Sequence, residues 1–399
     1  MSVAYHGLCR HLFLLGLSLL MLLLPGEAYE SISDETLRSL PRPGNDFDIN
    51  DGALLSPILI PRVPGTPGST AVLNHFVDFF QTTLPEWKIE FQNSTSTTPM
   101  SNGKNVPFVN FIASRDPPGA SPGDVEYVTF VAHYDSKLEP EGFIGAIDSA
   151  APCAIIMHMM RSIDIALGNK WDAMQKTKTS SLDRKWGIQV IFLDGEEAFE
   201  SWTADDSLYG ARSLAEQWET QMHPAMSDFR TPLSAISLFV LLDLLGSQGP
   251  SILSYYQTTH WAYKHLASLE QRLCSLDMFK SSPGAPWFPD AAKDEHELKT
   301  FGGIQDDHLP FLARGVEILH LIDFTPTRRT GFQPVWHTID DDGEHLDINT
   351  VEDWSMLMTA FAAEWMDLEG YFDTIDGPAR RDEALANAEA TRLAKKDEL

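Results

Sequence analysis

The amino-acid sequence predicts a single α/β domain with a central mixed, mostly parallel, twisted sheet that is flanked by helices. Short apolar stretches of strand type alternate along the chain with longer stretches that carry apolar residues at helical spacing. Residues 188–193, IQVIFL, are apolar except at Gln189, which is typical of a strand that is covered on both faces. No internal repeat is visible in the 399 residues.

Each strand is predicted from a run of apolar residues, and each helix from apolar residues at helical spacing. The first helix carries Val72, Leu73, Phe76, Phe79 and Phe80 in this spacing. Strands are predicted over residues 87–91, 108–113, 127–132, 188–193, 237–242 and 316–322. Helices are predicted over residues 72–84, 150–167, 208–219, 256–276 and 351–368. Polar segments that lack periodicity predict loops over residues 170–185, 281–300 and 325–336.

The chain divides into four predicted regions. Residues 1–28 are predicted to be a signal peptide, and residues 29–68 an irregular lead-in, rich in Pro, Gly, Ser and Asp, on the domain surface. The α/β domain is predicted over residues 69–372. Residues 373–399 form a charged, alanine-rich tail that ends in KDEL.

Both ends of the chain carry targeting signals. Arg10 precedes an uncharged run over residues 12–24, which suits a signal-peptide core and is short for a membrane span. Gly26 and Ala28 give the small-x-small cleavage pattern, and a signal anchor is the alternative. The terminal KDEL predicts a retention receptor as partner and the lumen of the endoplasmic reticulum as location. Asn93 starts a glycosylation sequon.

Charge and cysteine content exclude some classes of protein. The net charge of −28 argues against nucleic acid or an anionic membrane surface as a partner. Cys9 lies in the predicted signal peptide, so Cys153 and Cys274 remain, and whether they form a disulfide stays open. They cannot make a zinc–thiolate site alone. We predict no stable membrane insertion after signal removal, and a monomer.

The segment over residues 191–199, IFLDGEEAF, is the first candidate site. Its apolar strand ends abruptly in Asp194, Gly195, Glu196 and Glu197. In open α/β sheets, ligands bind at the carboxyl ends of the strands, so this acidic turn is placed where a site is expected. The alternative is a solvated acidic loop.

Other strand ends and loops carry matching groups. His133 and Asp135 follow one predicted strand, Asp243 ends another, Asp148 precedes a helix, and His337 comes from a late loop. Asp, Glu and His without Cys suit a catalytic zinc ion that keeps an open position for substrate or water. Each residue also has a structural alternative, such as a helix N-cap for Asp148. The number of such groups at predicted strand ends and loop starts favours a functional site over separate structural roles.

Six segments together resemble the glutaminyl-peptide cyclotransferases, over residues 72–368. They are HYDSK (133–137), DSAAPC (148–153), FLDGEEAF (192–199), DSLYGAR (206–212), IQDDHLPFL (304–312) and VWHT (335–338). The resemblance implies a zinc-aminopeptidase-like fold with one zinc ion per chain. It also implies an acyltransferase that acts on peptides and proteins with N-terminal glutamine, forming pyroglutamate and releasing ammonia.

The resemblance also implies a role for individual residues. By motif, the zinc ligands would be Asp148, Glu197 and His337. Glu196 would be the general acid and base, with Asp243 and Asp306 as supporting acids. The substrate pocket would contain Trp202, Gln305, Phe332 and Trp336.

The sequence departs from the family pattern at two places. Mammalian members have a cysteine where this chain has Ala132, so Cys153 lacks the partner of the family disulfide. The loop over residues 325–333 is longer than in those members, which puts the pocket position of Phe332 in question.

Two alternatives use the same residues differently. A two-zinc aminopeptidase would use the five metal-ligand types His133, Asp148, Glu197, Asp243 and His337, with Glu196 activating water. A non-catalytic lumenal binding protein could also use this scaffold. Trp202, Trp336 and the DSLYGAR segment favour the cyclase over the peptidase, and the intact set of acids argues against a binding protein.

Overall fold

The computed structural model describes residues 31–177, 185–281, 284–298 and 303–372. In these parts of the chain, six strands form one sheet and seven α-helices surround it. The predicted signal peptide and the predicted KDEL tail lie outside the described residues, as do parts of two predicted loops.

The sheet is mixed, with its parallel part at the centre and on one side. Its strands are β1 (Lys88–Thr97), β2 (Asn105–Arg115), β3 (Val125–His133), β4 (Lys185–Leu193), β5 (Ile236–Asp243) and β6 (Ile318–Ile322). Their order is β1-β2-β4-β3-β5-β6. Strand β2 pairs antiparallel with β1 and β4, whereas β3 pairs parallel with β4 and β5, and β5 pairs parallel with β6. The predicted fold class is confirmed.

The register of the parallel strands brings their carboxyl ends to one edge of the sheet. His133, the last residue of β3, is opposite Leu193, the last residue of β4. Asp243 ends β5 opposite Ile322, which ends β6. The polar residues that end or follow these strands therefore start from neighbouring positions, as expected for a site in an open α/β sheet.

Helices cover both faces of the sheet. They are α1 (Asp34–Ser39), α2 (Pro67–Thr83), α3 (Ala151–Thr177), α4 (Tyr209–Thr220), α5 (His260–Ser275), α6 (Leu309–Leu312) and α7 (Ile348–Trp365). Alternate residues of β3 point to opposite faces, so Val128 and Phe130 enter the larger apolar core while Val131 enters the smaller one. The larger core contains buried residues of α2, α3, α5 and α7, and the smaller one packs against α4 and α6.

Helix α3 continues past the end that the sequence predicted. Residues 170–177 were predicted to be a loop, but the helix runs to Thr177. Trp171 is buried and Lys170 Nζ donates to the carbonyl of Met366 at 2.7 Å, so contacts with the end of α7 stabilise these turns. Among the described helices, Ala146–Lys176 alone is long and apolar enough to cross a membrane, but 83% of its apolar window is buried within the protein, as in a core helix.

The lead-in is part of the hydrophobic core, and its predicted position on the domain surface is wrong. Leu37, Phe47, Leu55 and Ile58 are all buried in the larger core. The first described residues are also tied to the end of α7, because the amide of Ile32 donates to Glu364 Oε1 at 3.0 Å. The sequence did not indicate this packing, because the apolar residues of the segment follow neither helical nor strand spacing.

The two cysteines within the described residues do not form a disulfide. Cys153 is buried, Cys274 is exposed, and both are free thiols. The thiol of Cys153 donates to the carbonyl of His133 at 3.2 Å, so it packs behind the end of β3.

Truncating Phe47 will test whether the lead-in supports the fold. Phe47 is 1% exposed, so Phe47→Ala should lower the free energy of unfolding by about 3–5 kcal/mol through lost burial and a cavity. Met226 is 94% exposed, so Met226→Ala, the control, should change it by less than about 0.5 kcal/mol. Urea unfolding measures both, and equal stabilities of the two variants would contradict the role of the lead-in.

Candidate active site

The acidic turn after β4 is held by a carboxylate from the neighbouring strand end. One oxygen of Asp135 accepts the amide of Glu196 at 3.0 Å, and the other accepts the amide of Glu197 at 3.1 Å. Gly195 adopts φ +73° there, and a Cβ at this position would lie 2.4 Å from the ring of Phe108. The turn therefore requires glycine at position 195 and a buried carboxylate that accepts the amides of both glutamates.

Asp148, Glu197 and His337 converge on a common space. One possible ligand atom from each lies within 4.8 Å of the others. His337 Nε2 is 3.4 Å from Asp148 Oδ2 and 3.6 Å from Glu197 Oε1. Those two carboxylate oxygens are buried and lack a hydrogen-bond partner among the described residues, a costly arrangement that a divalent cation would relieve. Two carboxylates and an imidazole form a donor set that fits zinc with an open position.

The other oxygen of Asp148 belongs to a second group. His133 Nε2 is 2.9 Å from Asp148 Oδ1 and 3.5 Å from Asp243 Oδ1. Burial lowers the pKa of His133, but hydrogen bonds with Asp135, Asp148 and Asp243 outweigh it and hold that pKa well above its usual value.

Glu196 is a buried carboxyl group beside other acids. Burial raises its pKa, and the neighbouring charges of Glu197, Asp306 and Asp307 raise it further, well above the usual range. In contrast, the pKa of Asp306 is lowered: burial raises it, but the hydrogen bond and charge of His320, together with the charge of His308 and the amide of Asp307, outweigh burial. His320 Nε2 lies 2.7 Å from Asp306 Oδ2. Neighbouring carboxyl groups whose pKa values are shifted in opposite directions are typical of sites for acid–base catalysis.

Asp243 has an intermediate environment. Burial and the charge of Asp306 raise its pKa to about 6. Its Oδ1 accepts the hydroxyl of Ser149 and, at 2.9 Å, the amide of Leu244. The carboxylate is thus fixed at the end of β5, facing the group of His133 and Asp148.

Aromatic side chains form a wall beside His337. The ring of Trp336 stacks on His337 with centroids 3.9 Å apart, and Phe332 packs against Trp336 at 4.1 Å. The indole of Trp202 donates to Gln305 Oε1 at 2.7 Å. The loop over residues 325–333 therefore brings Phe332 next to Trp336, and the four residues predicted for the pocket form two contacting pairs.

Three residues of the site were not singled out from the sequence. Lys137 Nζ lies 3.1 Å from Glu197 Oε2, and its position in the HYDSK segment was an available signal. His320 interrupts the apolar strand β6, and a polar residue in a buried strand was also a signal. Asp341 accepts the amide of Ile147 at 2.8 Å, which ties the His337 loop to the Asp148 loop, and nothing in its sequence context indicated this.

This combination of a mixed α/β sheet and a carboxylate–imidazole donor set at its carboxyl edge defines the class of zinc-exopeptidase-like enzymes. Residues 110–362 match the model of peptidase family M28. The chain is 37% identical to the glutaminyl-peptide cyclotransferase-like protein of Bos taurus over 317 residues, 79% of this chain and 74% of the relative. It is 34% identical to the glutaminyl-peptide cyclotransferase of Bos taurus, over 79% of this chain and 81% of the relative. The chain belongs to peptidase family M28 and, within it, to the glutaminyl-peptide cyclotransferases.

Solved structures agree with this assignment. The crystal structure of the Macrostomum lignano glutaminyl cyclase has a TM-score of 0.69 and 29% identity, covering 86% of this chain and 97% of that one. A Zn-dependent exopeptidase from Parabacteroides distasonis has a TM-score of 0.53 at 20% identity, covering 84% of this chain and 100% of that one, so it shares the fold. The chain is therefore an enzyme of this family.

Removing His337 will test the metal site. His337→Ala should lose most of its bound zinc, because Asp148 and Glu197 alone leave the metal with two of the three protein ligands that catalytic zinc sites use. His345→Ala removes an exposed histidine nearby and should keep the wild-type zinc content. Elemental analysis after dialysis measures both, and full zinc in His337→Ala would show that the ligand set is wrong.

Proposed function

We propose that the protein is a zinc-dependent acyltransferase that cyclises the N-terminal glutamine of peptides and proteins to pyroglutamate and releases ammonia. The observation that carries this proposal is Glu196, a buried carboxyl group with a raised pKa, directly next to the metal ligand candidate Glu197. Relatives named glutaminyl-peptide cyclotransferase support the same reaction.

The site has to activate a poor electrophile, the γ-amide of glutamine. Asp148, Glu197 and His337 would hold one zinc ion, which polarises the γ-carbonyl and stabilises negative charge on its oxygen. The nucleophile is the substrate's own α-amine, so the reaction requires no serine or cysteine. Attack is intramolecular, and the main task of the pocket is to hold the folded-back side chain.

Glu196 moves the proton in this reaction. The carboxylate takes a proton from the attacking α-amine and gives it to the departing γ-nitrogen. The γ-carbon thereby forms a bond to the α-nitrogen, its bond to the γ-nitrogen breaks, and ammonia leaves. A raised pKa suits both steps, because the group must accept a proton and then release it. Asp306, held by His320, is a fixed negative charge that keeps Glu196 basic, and Asp243 binds the α-amine.

The walls of the pocket favour cyclisation over hydrolysis. Trp336 stacks on one side of His337, and Phe332 packs against Trp336. The indole of Trp202 donates a hydrogen bond to Gln305. Apolar walls exclude water, which would otherwise compete with the α-amine for the polarised amide.

The second candidate, a two-zinc aminopeptidase, requires His133 as a ligand. His133 Nε2 already lies at hydrogen-bond distance from Asp148 Oδ1, whereas Asp148 Oδ2 and Glu197 Oε1 face His337 without a hydrogen-bond partner among the described residues. We therefore propose one zinc per chain, held by Asp148, Glu197 and His337, with His133 as a hydrogen-bond partner of Asp148.

We further propose that the protein acts in the lumen of the endoplasmic reticulum and is retained by a KDEL receptor. Asn93 is exposed on β1, at the edge of the sheet, which supports its glycosylation in that compartment.

A direct experiment separates the two reactions. The purified mature protein is incubated with a short peptide that begins with glutamine, and the products are analysed by mass spectrometry. Loss of the mass of one ammonia supports the cyclase, and release of the first residue would support the aminopeptidase. Zinc content per chain, measured on the same sample, distinguishes one metal from two.

Replacing Glu196 will test the proton transfer. Glu196→Gln should lower kcat by about 10²- to 10⁴-fold, because the amide cannot accept the proton, while zinc stays bound. The matched control is Glu200→Gln, which changes an exposed glutamate of the same segment and should keep full activity. Wild-type turnover in Glu196→Gln would remove this residue from the mechanism.

A further inference from the structure

A fully buried arginine lies beneath the loop that carries Asp148. Arg62 follows the 3₁₀ turn Ser56–Ile58 of the lead-in and is 0% exposed. The sequence indicated no role for it, and its hydrogen bonds go to backbone carbonyls and to the hydroxyl of Ser136. Burying a guanidinium is costly, and an apolar side chain of similar size would fill the space without that cost.

The guanidinium group of Arg62 donates to a cluster of backbone carbonyls. Its Nη2 donates to Gly145 at 3.0 Å and to Asp148 at 3.4 Å. Its Nη1 donates to Ile144 and, at 3.4 Å, to Ile60. One side chain thus connects the lead-in with three residues of the loop over residues 144–148.

This loop has little regular structure of its own. Asp148 and Ser149 have non-helical backbone angles within the turn that precedes α3. Gly145 adopts φ +63°, and a Cβ there would lie 2.1 Å from the carbonyl oxygen of Asp148. Because the loop folds back on itself, its carbonyls point inward and need a buried donor. The planar fork of an arginine can serve several such carbonyls at once, whereas a lysine ammonium cannot span them.

The backbone of Arg62 is tied to the other side of the site. Its amide donates to Ser136 Oγ at 2.8 Å, and Ser136 follows Asp135, which holds the amides of Glu196 and Glu197. Burial lowers the pKa of Arg62, and the charges of Asp135, Asp148 and Asp341 oppose this effect. Arg62 therefore lies among the supports of two metal-ligand candidates, Asp148 and Glu197.

We propose that Arg62 is a positioning residue for the metal site: by binding the carbonyls of the 144–148 loop, it holds Asp148 so that Oδ2 faces Glu197 and His337. This inference rests on the proposed zinc site and extends it to the lead-in. The loss of the guanidinium should loosen Asp148 without removing any ligand, so it should weaken zinc binding rather than abolish it.

The test measures zinc affinity of the mature chain by competition with a chelator, together with the absorption spectrum of the Co²⁺-loaded chain. The spectrum reports the geometry of the ligands and is independent of activity. Arg62→Lys keeps the positive charge but loses the planar fork of donors, and we expect its zinc affinity to fall about 10-fold. For Arg62→Met we expect a fall of about 100-fold, and an altered cobalt spectrum in both variants.

A matched control separates positioning from general stability. Arg272 also donates to a backbone carbonyl, that of Ile32 at 2.7 Å, and to buried Glu364, but these contacts connect the start of the described chain with α7 and do not involve the 144–148 loop. Arg272→Met should lower thermal stability while zinc affinity and the cobalt spectrum stay at wild-type values.

The outcomes distinguish this inference from the proposed function. Wild-type zinc affinity and cobalt spectrum in folded Arg62→Lys would overturn the positioning role, as would an equal loss of affinity in Arg272→Met. Arg62→Lys decides the question if Arg62→Met does not fold. A wild-type chain that binds no zinc would overturn the proposed function as well, whereas zinc binding that is insensitive to Arg62 would overturn this inference alone.

Discussion

Electrostatic repulsion among buried carboxyl groups is the constraint on which the site depends. Asp135, Asp148, Glu196, Glu197 and Asp243 are all at most 7% exposed, and they meet at one edge of the sheet. In a poorly solvated environment, like charges raise each other's pKa and oppose folding unless positive or hydrogen-bonding groups compensate. The arrangement persists because neighbouring positive groups compensate these acids: His133 lies beside Asp135, Asp148 and Asp243, and Lys137 lies beside Glu197.

The compensating groups come from elements that are distant in the chain. His133 ends β3 and serves Asp148, His320 lies within β6 and serves Asp306, and Lys137 serves Glu197. Because these partners arise from separate strands and loops, the site forms only when the parallel sheet is assembled in register. The carboxyl edge therefore links the stability of the sheet to the chemistry of the site.

The parts of the fold that the sequence predicted have a local physical signature. The central strands β3, β4 and β5 are nearly continuous apolar runs because helices cover both faces, and the change to acids at their ends is visible in the sequence. Contacts of the lead-in and of the last turns of α3 are long-range, so Phe47 and Trp171 gave no periodic signal. Arg62 is the extreme case, since its partners are backbone carbonyl groups. Every residue has a backbone carbonyl, so the sequence does not indicate which ones need a buried donor.

The same scaffold can support either of two reactions, and the fold does not choose between them. A peptidase has to activate water and an amide, for which two metals are useful, whereas cyclisation brings its own nucleophile and needs only the amide activated. The difference reduces to whether His133, Asp148 and Asp243 hold a second metal, because one possible ligand atom from each lies within 4.8 Å of the others. The carboxylate oxygens of Asp148 and Glu197 that lack a hydrogen-bond partner among the described residues face His337 instead. A single divalent cation between these three residues would compensate both oxygens, and cyclisation, which brings its own nucleophile, requires no second one.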